Sequence, residues 1–290
     1  MSSAADVIQH LGGQWIGDPA AFHAEGGYWD ARRGALLYVD MLQGDILTHD
    51  NRGDTRTRVG DVVALVRRRS GGGYVAATER GFALLDDQFS VERDIPVFDD
   101  TSIRMNEGAC DAAGRLYCGS MAYDYTRGAG TLYRLDPDLS VHVVLERVTI
   151  PNGLVWTAGG TIALHAETAD DRIYAYEFDA ATGTFGERSV FVDLSDAPGS
   201  PDGIALDAEG GVWAAMFGGG AVRRFDASGR MTDLVPLDVT NPTSCAIGGR
   251  NGTTLFVTTS RQDAPDEARA GQVYSIDVGV HAAEVYPFGL

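Results

Sequence analysis

Residues 200–226 read SPDGIALDAEGGVWAAMFGGGAVRRFD, and this stretch decides the fold. Three short runs, GIAL, VWAAMF and AVRRF, alternate with the turn sequences DAEGG and GGG. Apolar runs of this length, bounded by glycine and aspartate, predict β-strands joined by tight turns. At the start of the stretch, Asp202 and a glycine come directly before the first apolar residues.

The same plan recurs along the chain. Three further copies open with a polar residue and a nearby glycine, at Glu25, Asn106 and Asn152, and weaker copies lie near residues 64 and 244. The starts are 39 to 50 residues apart, which suits a four-stranded propeller blade of ~40–50 residues. Six copies therefore predict an all-β fold: a six-bladed β-propeller with four-stranded antiparallel blades around a central channel.

The six copies account for the whole chain, so we expect residues 1–290 to form a single propeller domain. The first two dozen residues are expected to supply the outer strand that closes the last blade. No run of ten or more residues has a helical period, and the lack of helical crossovers disfavours a parallel α/β sheet.

The composition excludes several classes of function. Acidic residues outnumber basic ones by 41 to 23, and the formal net charge of −18 argues against a nucleic-acid or anionic-membrane partner. All 23 basic residues are arginine. The lack of lysine excludes Schiff-base aldolases, pyridoxal phosphate enzymes and phosphate-binding loops that carry lysine. The expected partner is a small molecule.

The cysteines and the N-terminal sequence indicate the compartment. Cys110, Cys118 and Cys245 fit neither a disulfide framework nor a CxxC zinc site. We therefore expect the three cysteines to be buried and to pack as small hydrophobic residues. The opening MSSAADVIQHLGGQW lacks the charged start and apolar stretch of a signal peptide. No apolar run approaches the ~18 residues of a membrane span. A cytoplasmic protein is therefore expected, with a monomer as the default for a closed propeller.

The residue that opens each innermost strand is predicted to lie at one mouth of the channel, because rotation about the channel relates the repeats. Four copies place a short oxygen-bearing side chain there: Glu25, Asn106, Asn152 and Asp202. Two carboxylates and two amides would supply hard oxygen ligands for a cation. Two converging carboxylates also repel each other unless a cation lies between them. The alternative is that Asn-Gly and Asp-Gly only form turns before strands.

Two further residues are candidates near this mouth. Arg104 lies two residues before Asn106, so the two side chains share a strand face. An arginine there suits anchoring of a substrate carbonyl, hydroxyl or carboxylate, or alternatively forms an ion pair with a channel acid. Asp124 follows the second strand of the same blade and either reaches over the mouth or caps a loop.

In these stretches the chain resembles the SMP-30/gluconolactonase/luciferin-regenerating-enzyme family. The resemblance runs from residue 25 nearly to the C terminus, in the family's order. The matching runs are EGGYWDARRGALLYVD, IRMNEGACDAAGRLYCGSM, IPNGLVWTAGG, SPDGIALDAEGGVWAAMFGGGAVRRFD, TSCAIGG and LFVTTSR. The resemblance implies a six-bladed propeller with one divalent cation in its channel, and many members hydrolyse sugar lactones.

Site residues follow from the same resemblance. It implies Glu25, Asn152 and Asp202 as the metal ligands. It also implies that Arg104, Asn106 and Asp124 contact the substrate. The family's EGP and NDG are EGG and NEG here, and the Asp-Ser that usually ends the fourth blade's second strand is Glu-Thr. These departures leave the implied ligands in place and bear on which substrate is used.

The hypothesis from the sequence is a metal-dependent lactonase that opens the ring of a sugar (aldono) lactone. The cation, which could be Ca²⁺, Zn²⁺, Mn²⁺ or Mg²⁺, would act as a Lewis acid, with Asp202 as general base. One alternative is another esterase on this scaffold, acting on an organophosphate or a non-sugar lactone. The other is a propeller that binds calcium or a ligand without catalysis.

Overall fold

The predicted propeller architecture is confirmed. The computed structural model describes residues 9–16, 21–157 and 159–290. Within these ranges, 25 strands form six sheets, and each blade contains four antiparallel strands. Helical structure in the described ranges amounts to two 3₁₀ turns, Met41–Gln43 and Thr168–Asp170, and neither has the length or apolar character that crossing a membrane requires.

The strands follow chain order within blades 1 to 4. Blade 1 contains β3 (Ala24–Asp30), β4 (Ala35–Asp40), β5 (Asp45–Asp50) and β6 (Gly53–Arg58). Blade 2 contains β7 (Val63–Arg68), β8 (Tyr74–Thr78), β9 (Gly81–Leu85) and β10 (Val91–Pro96). Blade 3 contains β11 (Ile103–Cys110), β12 (Leu116–Ala122), β13 (Gly130–Leu135) and β14 (Val141–Val148). Blade 4 contains β15 (Pro151–Trp156), β16 (Ile162–Glu167), β17 (Arg172–Asp179) and β18 (Thr184–Asp193).

The last two blades take in strands from the N-terminal region. Blade 5 contains β19 (Ser200–Leu206), β20 (Val212–Phe217), β21 (Ala221–Phe225) and β22 (Met231–Pro236), and β1 (Gln9–His10) pairs in parallel with β22. Blade 6 contains β23 (Pro242–Gly248), β24 (Thr254–Thr259), β25 (Val273–Asp277) and β2 (Gln14–Ile16). Because β2 pairs antiparallel with β25, the predicted closing strand is confirmed. The parallel strand β1 was not predicted.

The core lies between the blades and is built from the inner three strands of each. These strands are rich in Val, Leu, Ala and aromatic residues and are buried along most of their length, so both faces pack against neighbouring blades. The outermost strands are more polar, as in VERDIP of β10, where five of the six residues are exposed. Cys110, Cys118 and Cys245 are free and buried, as predicted.

A β-bulge interrupts each innermost strand close to its polar opening residue. The register shifts between Glu25 and Tyr28 in β3, for example, and between Pro201 and Ile204 in β19. A bulge adds an unpaired residue and redirects its side chain, here into the channel. Glycine follows because the inner strands nearly touch: a Cβ atom on Gly153 would lie 2.3 Å from the nitrogen of Ile204. The polar-glycine pairs thus lie inside strands rather than in turns.

Candidate metal centre and substrate cavity

The beginnings of the inner strands line a cavity of about 230 Å³ at one mouth of the channel. The polar residues of its wall come from five of the six blades. They are His23, Glu25, Arg104, Asn106, Asn152, Thr168, Asp202, Gln262 and Asp263. Five of the six predicted site residues are therefore brought together in one cavity.

Hydrogen bonds connect the predicted residues across blades 3 and 4. Arg104 Nη1 donates to Asn106 Oδ1 at 2.6 Å, which places both side chains on one strand face. Asn106 Nδ2 donates to Asn152 Oδ1 at 2.8 Å and to the Pro151 carbonyl at 2.9 Å. The other hydrogen bonds of Arg104 run to the Met105 carbonyl and a methionine sulfur rather than to a carboxylate. The two amides and the guanidinium thus form one buried polar network.

Asn152 is held in place by Glu167 and Thr168, the pair that replaces the family's usual Asp-Ser. Its Nδ2 donates to Thr168 Oγ1 at 2.7 Å, and Thr168 Oγ1 donates to the carbonyl of Pro201 at 2.7 Å. Glu167 accepts hydrogen bonds from the amides of Thr149 and Ile150, directly before β15. The Glu-Thr pair therefore fixes the strand that carries Asn152 and ties it to the strand that carries Asp202.

Three buried carboxylates lie together beside the cavity. One oxygen from each of Glu25, Glu107 and Asp202 lies within 4.8 Å of the others. Asp202 Oδ1 and Glu107 Oε2 are buried and have no hydrogen-bond partner among the described residues. Burying an unpaired carboxylate oxygen costs free energy, so such a cluster calls for a compensating positive charge.

The pKa values of the three carboxyl groups also favour a bound cation. Burial raises the pKa of Glu25 to about 7, although the Gly26 amide and Arg104 oppose the shift. Burial and the other two carboxylates raise the pKa of Asp202 well above its ordinary value. Burial and Glu25 do the same to the pKa of Glu107. Groups that resist ionisation for these reasons ionise when a cation is bound among them.

The two basic side chains of the cavity are also desolvated. Burial, with Arg104 nearby, lowers the pKa of His23 to about 3, so this imidazole is neutral at pH 7. His23 Nδ1 is hydrogen-bonded to Ser260 Oγ at 2.7 Å, and its Nε2 lies 3.9 Å from Glu25 Oε1. Burial lowers the pKa of Arg104 as well. Arg104 is thus the one strongly basic side chain among the described residues that line this cavity.

The donor set fits a hard divalent cation. Carboxylate and amide oxygens are the ligands that Ca²⁺, Mg²⁺ and Mn²⁺ prefer. Glu25, Glu107 and Asp202 each bring one carboxylate oxygen within 4.8 Å of the others, which is close enough for one ion to bind all three. The buried cysteines lie outside this cavity wall, so thiolate ligation typical of structural zinc centres does not arise here.

Asp124 is the one predicted site residue that does not line this cavity. Its exposed carboxylate accepts hydrogen bonds from the amide and hydroxyl of Thr126, at 3.0 and 2.7 Å, and so caps the loop after β12. The next residue, Tyr125, has a φ of +60° and lines the cavity. Gln262 Nε2 donates to Tyr125 Oη at 2.8 Å, which joins loops of blades 3 and 6 across the mouth.

Sequence reasoning missed one member of the carboxylate cluster and several residues of the cavity. Glu107 was noted as a departure from the family pattern and was not proposed as a ligand. The sequence did contain a signal for it, because Glu107 directly follows Asn106, which was predicted to lie at the channel mouth. His23 carried a weaker signal, two residues before Glu25 and hence on the same strand face. Tyr125 and Gln262 carried none, since 137 positions separate them.

A second, smaller cavity of about 100 Å³ lies at the opposite end of the channel. It is lined by the later residues of the inner strands, by Arg67 and Glu107, and by residues 282–286 of the C-terminal segment. That segment runs from blade 5, where Ala282 bridges Asp207, to blade 2, where Phe288 bridges Arg69. Glu107 therefore lies between the two cavities, in contact with the carboxylate cluster on one side.

Comparison with known proteins identifies the family. Residues 23–261 match the family described as SMP-30/gluconolactonase/LRE-like region. The chain is 34% identical over 260 residues to an uncharacterized protein from Sulfolobus acidocaldarius, covering 88% of this chain and 92% of that one. It is 31% identical over 276 residues to regucalcin from Homo sapiens, covering 90% and 92%. The crystal structure of a calcium-binding protein, regucalcin, from Agrobacterium tumefaciens has the same fold, with a TM-score of 0.91, 22% identity and coverage of 98% and 99%. The chain belongs to the SMP-30/gluconolactonase/LRE-like family.

Proposed function

We propose that this protein is a metal-dependent lactonase that hydrolyses the ring ester of a sugar (aldono) lactone. The observation that carries the proposal is the juxtaposition of unpartnered, buried carboxylate oxygens with a polar cavity at the channel mouth. Membership of a family whose description includes gluconolactonase supports the same reaction. A cavity of about 230 Å³ suits a small, polar substrate.

Glu25, Asn152 and Asp202 would hold the cation at the channel mouth. A divalent cation bound there supplies Lewis-acid chemistry, which polarises an ester carbonyl and stabilises negative charge on its oxygen. The hydrogen bonds described above keep Asn152 in position without consuming both lone pairs of its Oδ1. Ca²⁺ is the first candidate, since relatives are named regucalcin and one is described as calcium-binding. Zn²⁺, Mn²⁺ and Mg²⁺ are the alternatives to be tested alongside it.

Asp202 would also act as general base. Asp202 lines the cavity, and its Oδ1 has no hydrogen-bond partner among the described residues, so it could accept a proton from an attacking water. As water adds to the lactone carbonyl carbon, Asp202 would take its proton; the acyl C–O bond would then break, and the ring oxygen would leave as a hydroxyl that receives this proton from Asp202. The product is the open-chain hydroxy acid.

Arg104 and Asn106 would orient the substrate. Both lie in the cavity wall beside the cluster, and the guanidinium has donors to offer a ring oxygen or hydroxyl. Asp124 would contact substrate hydroxyls from the loop that caps the mouth, next to Tyr125. These positions favour a ligand with several hydroxyl groups over a fatty-acyl lactone.

The test is acid release, followed with a pH indicator, from a panel of aldono-γ- and δ-lactones. Chelator-stripped protein is compared with protein resupplied with one cation at a time, and each lactone's spontaneous hydrolysis is subtracted. We expect cation-dependent opening of a subset of sugar lactones. Faster turnover of aryl phosphates than of any lactone would favour the esterase alternative. Tight cation binding without turnover of any panel member would favour a binding protein.

A further inference from the structure

Glu107 has no task in the reaction described above, yet its carboxylate lies in the buried cluster with Glu25 and Asp202. The β11 bulge lies between Met105 and Gly108, and it takes Glu107 out of the regular alternation of side chains. The residue is 6% exposed, and its Oε2 has no hydrogen-bond partner within the described part of the chain. A charged group in this position destabilises the fold unless something else binds it.

The spacing of the three carboxylates is that of ligands around one ion. Their oxygens lie within 4.8 Å of one another. Two ligands on opposite sides of Ca²⁺ are separated by roughly 4.6–5.2 Å, because each Ca²⁺–oxygen bond is about 2.3–2.6 Å long. One ion between Glu25, Glu107 and Asp202 can therefore reach all three without a change in the backbone.

The nearby arginines do not neutralise Glu107. Arg67 shares the inner cavity with it, but the Arg67 guanidinium donates to the carbonyls of Gly26, Val66 and Gly108. Its ring-stacking partner is Tyr28, with the guanidinium carbon 5.4 Å from the ring centroid. Arg67 thus contributes long-range attraction and leaves the carboxylate oxygen unpartnered.

The backbone beside Asp202 makes room for the Glu107 side chain. A Cβ atom on Gly203 would lie 3.1 Å from Glu107 Oε1 and 2.5 Å from the Cβ of Ser244. The glycine after Asp202 therefore permits Glu107 to approach the same point of the channel that Asp202 reaches. Glu107 comes from the inner side, since it also lines the cavity at the opposite end.

We propose that Glu107 is a ligand of the channel cation and binds it from the inner side, opposite the mouth. The inference rests on the cation site of the proposed function and adds a third carboxylate to it. Three carboxylates and an amide oxygen favour an ion with long bonds and a high coordination number, of which Ca²⁺ is the biological example. Glu107 would also keep the ion at the boundary between the two cavities.

Calorimetric titration of the chelator-stripped full-length protein with Ca²⁺ tests this. The Glu107→Gln variant keeps the size of the side chain and removes its charge. We expect its affinity for Ca²⁺ to fall by at least ~10-fold, as the loss of a charged ligand requires. Glu187→Gln is the matched control, because Glu187 is exposed on the outer strand of blade 4. Its affinity should equal that of the wild type.

A second readout separates ligation from packing. Tb³⁺ bound in place of Ca²⁺ reports its coordinated waters through luminescence lifetimes in H₂O and D₂O. Glu107→Gln should show more coordinated water than the wild type, and its cation-free form should melt at or above the wild-type temperature, because the substitution keeps the packing and removes a carboxyl group that burial keeps from ionising. Unchanged affinity and hydration in Glu107→Gln would overturn the inference while leaving the cation site intact. A wild-type protein that binds no cation would instead refute the proposed function itself.

Discussion

Asn106 Nδ2 donates a 2.8 Å hydrogen bond to Asn152 Oδ1, so side chains from the inner strands of blades 3 and 4 meet at the channel mouth. The bond is one link in a chain that runs from Arg104 through both amides to Thr168 and the Pro201 carbonyl. The chain spans three blades. Each change along it should therefore affect the orientation of residues in a neighbouring blade.

Asn106→Ala should destabilise the protein and impair the site. The substitution leaves the Pro151 carbonyl and Asn152 Oδ1 without this donor and removes one acceptor of Arg104. Buried polar groups left unpaired cost about 1–3 kcal/mol, and we expect that loss in the free energy of unfolding. Denaturant titration measures it, with Asn251→Ala in an exposed turn as the control. Equal stability of the Asn106 and Asn251 variants would contradict the network.

Thr168→Val should weaken cation binding without unfolding the protein. Valine matches threonine in shape but cannot accept from Asn152 Nδ2 or donate to the Pro201 carbonyl. Loss of such a supporting contact lowers metal affinity on the order of 10-fold. Calorimetric titration with Ca²⁺ provides the measurement. Thr168→Ser restores the hydroxyl and should restore the affinity, and failure of serine to do so would argue against a positioning role.

Asp124→Asn should raise KM on the order of 10-fold with little change in kcat, because the carboxylate would bind substrate hydroxyls and take no part in bond breaking. The structure supplies a competing role, since Asp124 caps the loop through Thr126. Thr126→Ala separates the two, because it loosens the cap and keeps the carboxylate. If both variants raise KM equally, the effect belongs to the loop, and the substrate contact is wrong.

The stability of the fold should fall on acidification through His165. Burial, with Arg188 nearby, lowers the pKa of this imidazole to about 4, and its Nε2 has no hydrogen-bond partner in the described chain. The unfolded chain takes up a proton near pH 6.5 and the folded chain near pH 4, so the free energy of unfolding decreases as the pH falls between these values. The contribution is on the order of 3 kcal/mol.

Denaturant titrations between pH 7 and pH 4 measure this slope. The ring packs edge-on to Tyr176, with centroids 6.4 Å apart, and β16 pairs it with Tyr174 and Leu154. His165→Leu keeps the site apolar and should flatten the dependence on pH. A slope identical to that of the wild type would show that other groups, such as the buried His23, account for the acid sensitivity.

The repeat pattern was enough to predict the blades, their inner strands and the mouth at which Glu25, Asn152 and Asp202 lie. Rotation about the channel relates the repeats. Residues at the same position in each repeat therefore lie at the same end of the channel. Glu107 was not predicted as a channel residue, because a bulge breaks the strict alternation of side chains that the prediction assumed. An extra residue in the strand turns two consecutive side chains toward the channel.

Contacts made by the loops could not be predicted from the repeat pattern, for a different reason. The contact between Tyr125 and Gln262 joins residues from separate blades, and no local spacing encodes it. The same holds for the C-terminal segment that crosses the opposite face of the propeller. Such contacts depend on loop conformations, including the left-handed backbone of Tyr125, that arise only when the ring has closed.

The most direct test of the account titrates one cation into chelator-stripped protein while bound cation and lactone hydrolysis are measured together. We predict that hydrolysis of the best aldono-lactone rises in proportion to bound cation and saturates at one ion per chain. Asp202→Asn should bind the ion more weakly and stay inactive at saturation. Full activity in the stripped protein, or in Asp202→Asn, would contradict a cation-dependent lactonase with Asp202 as its base.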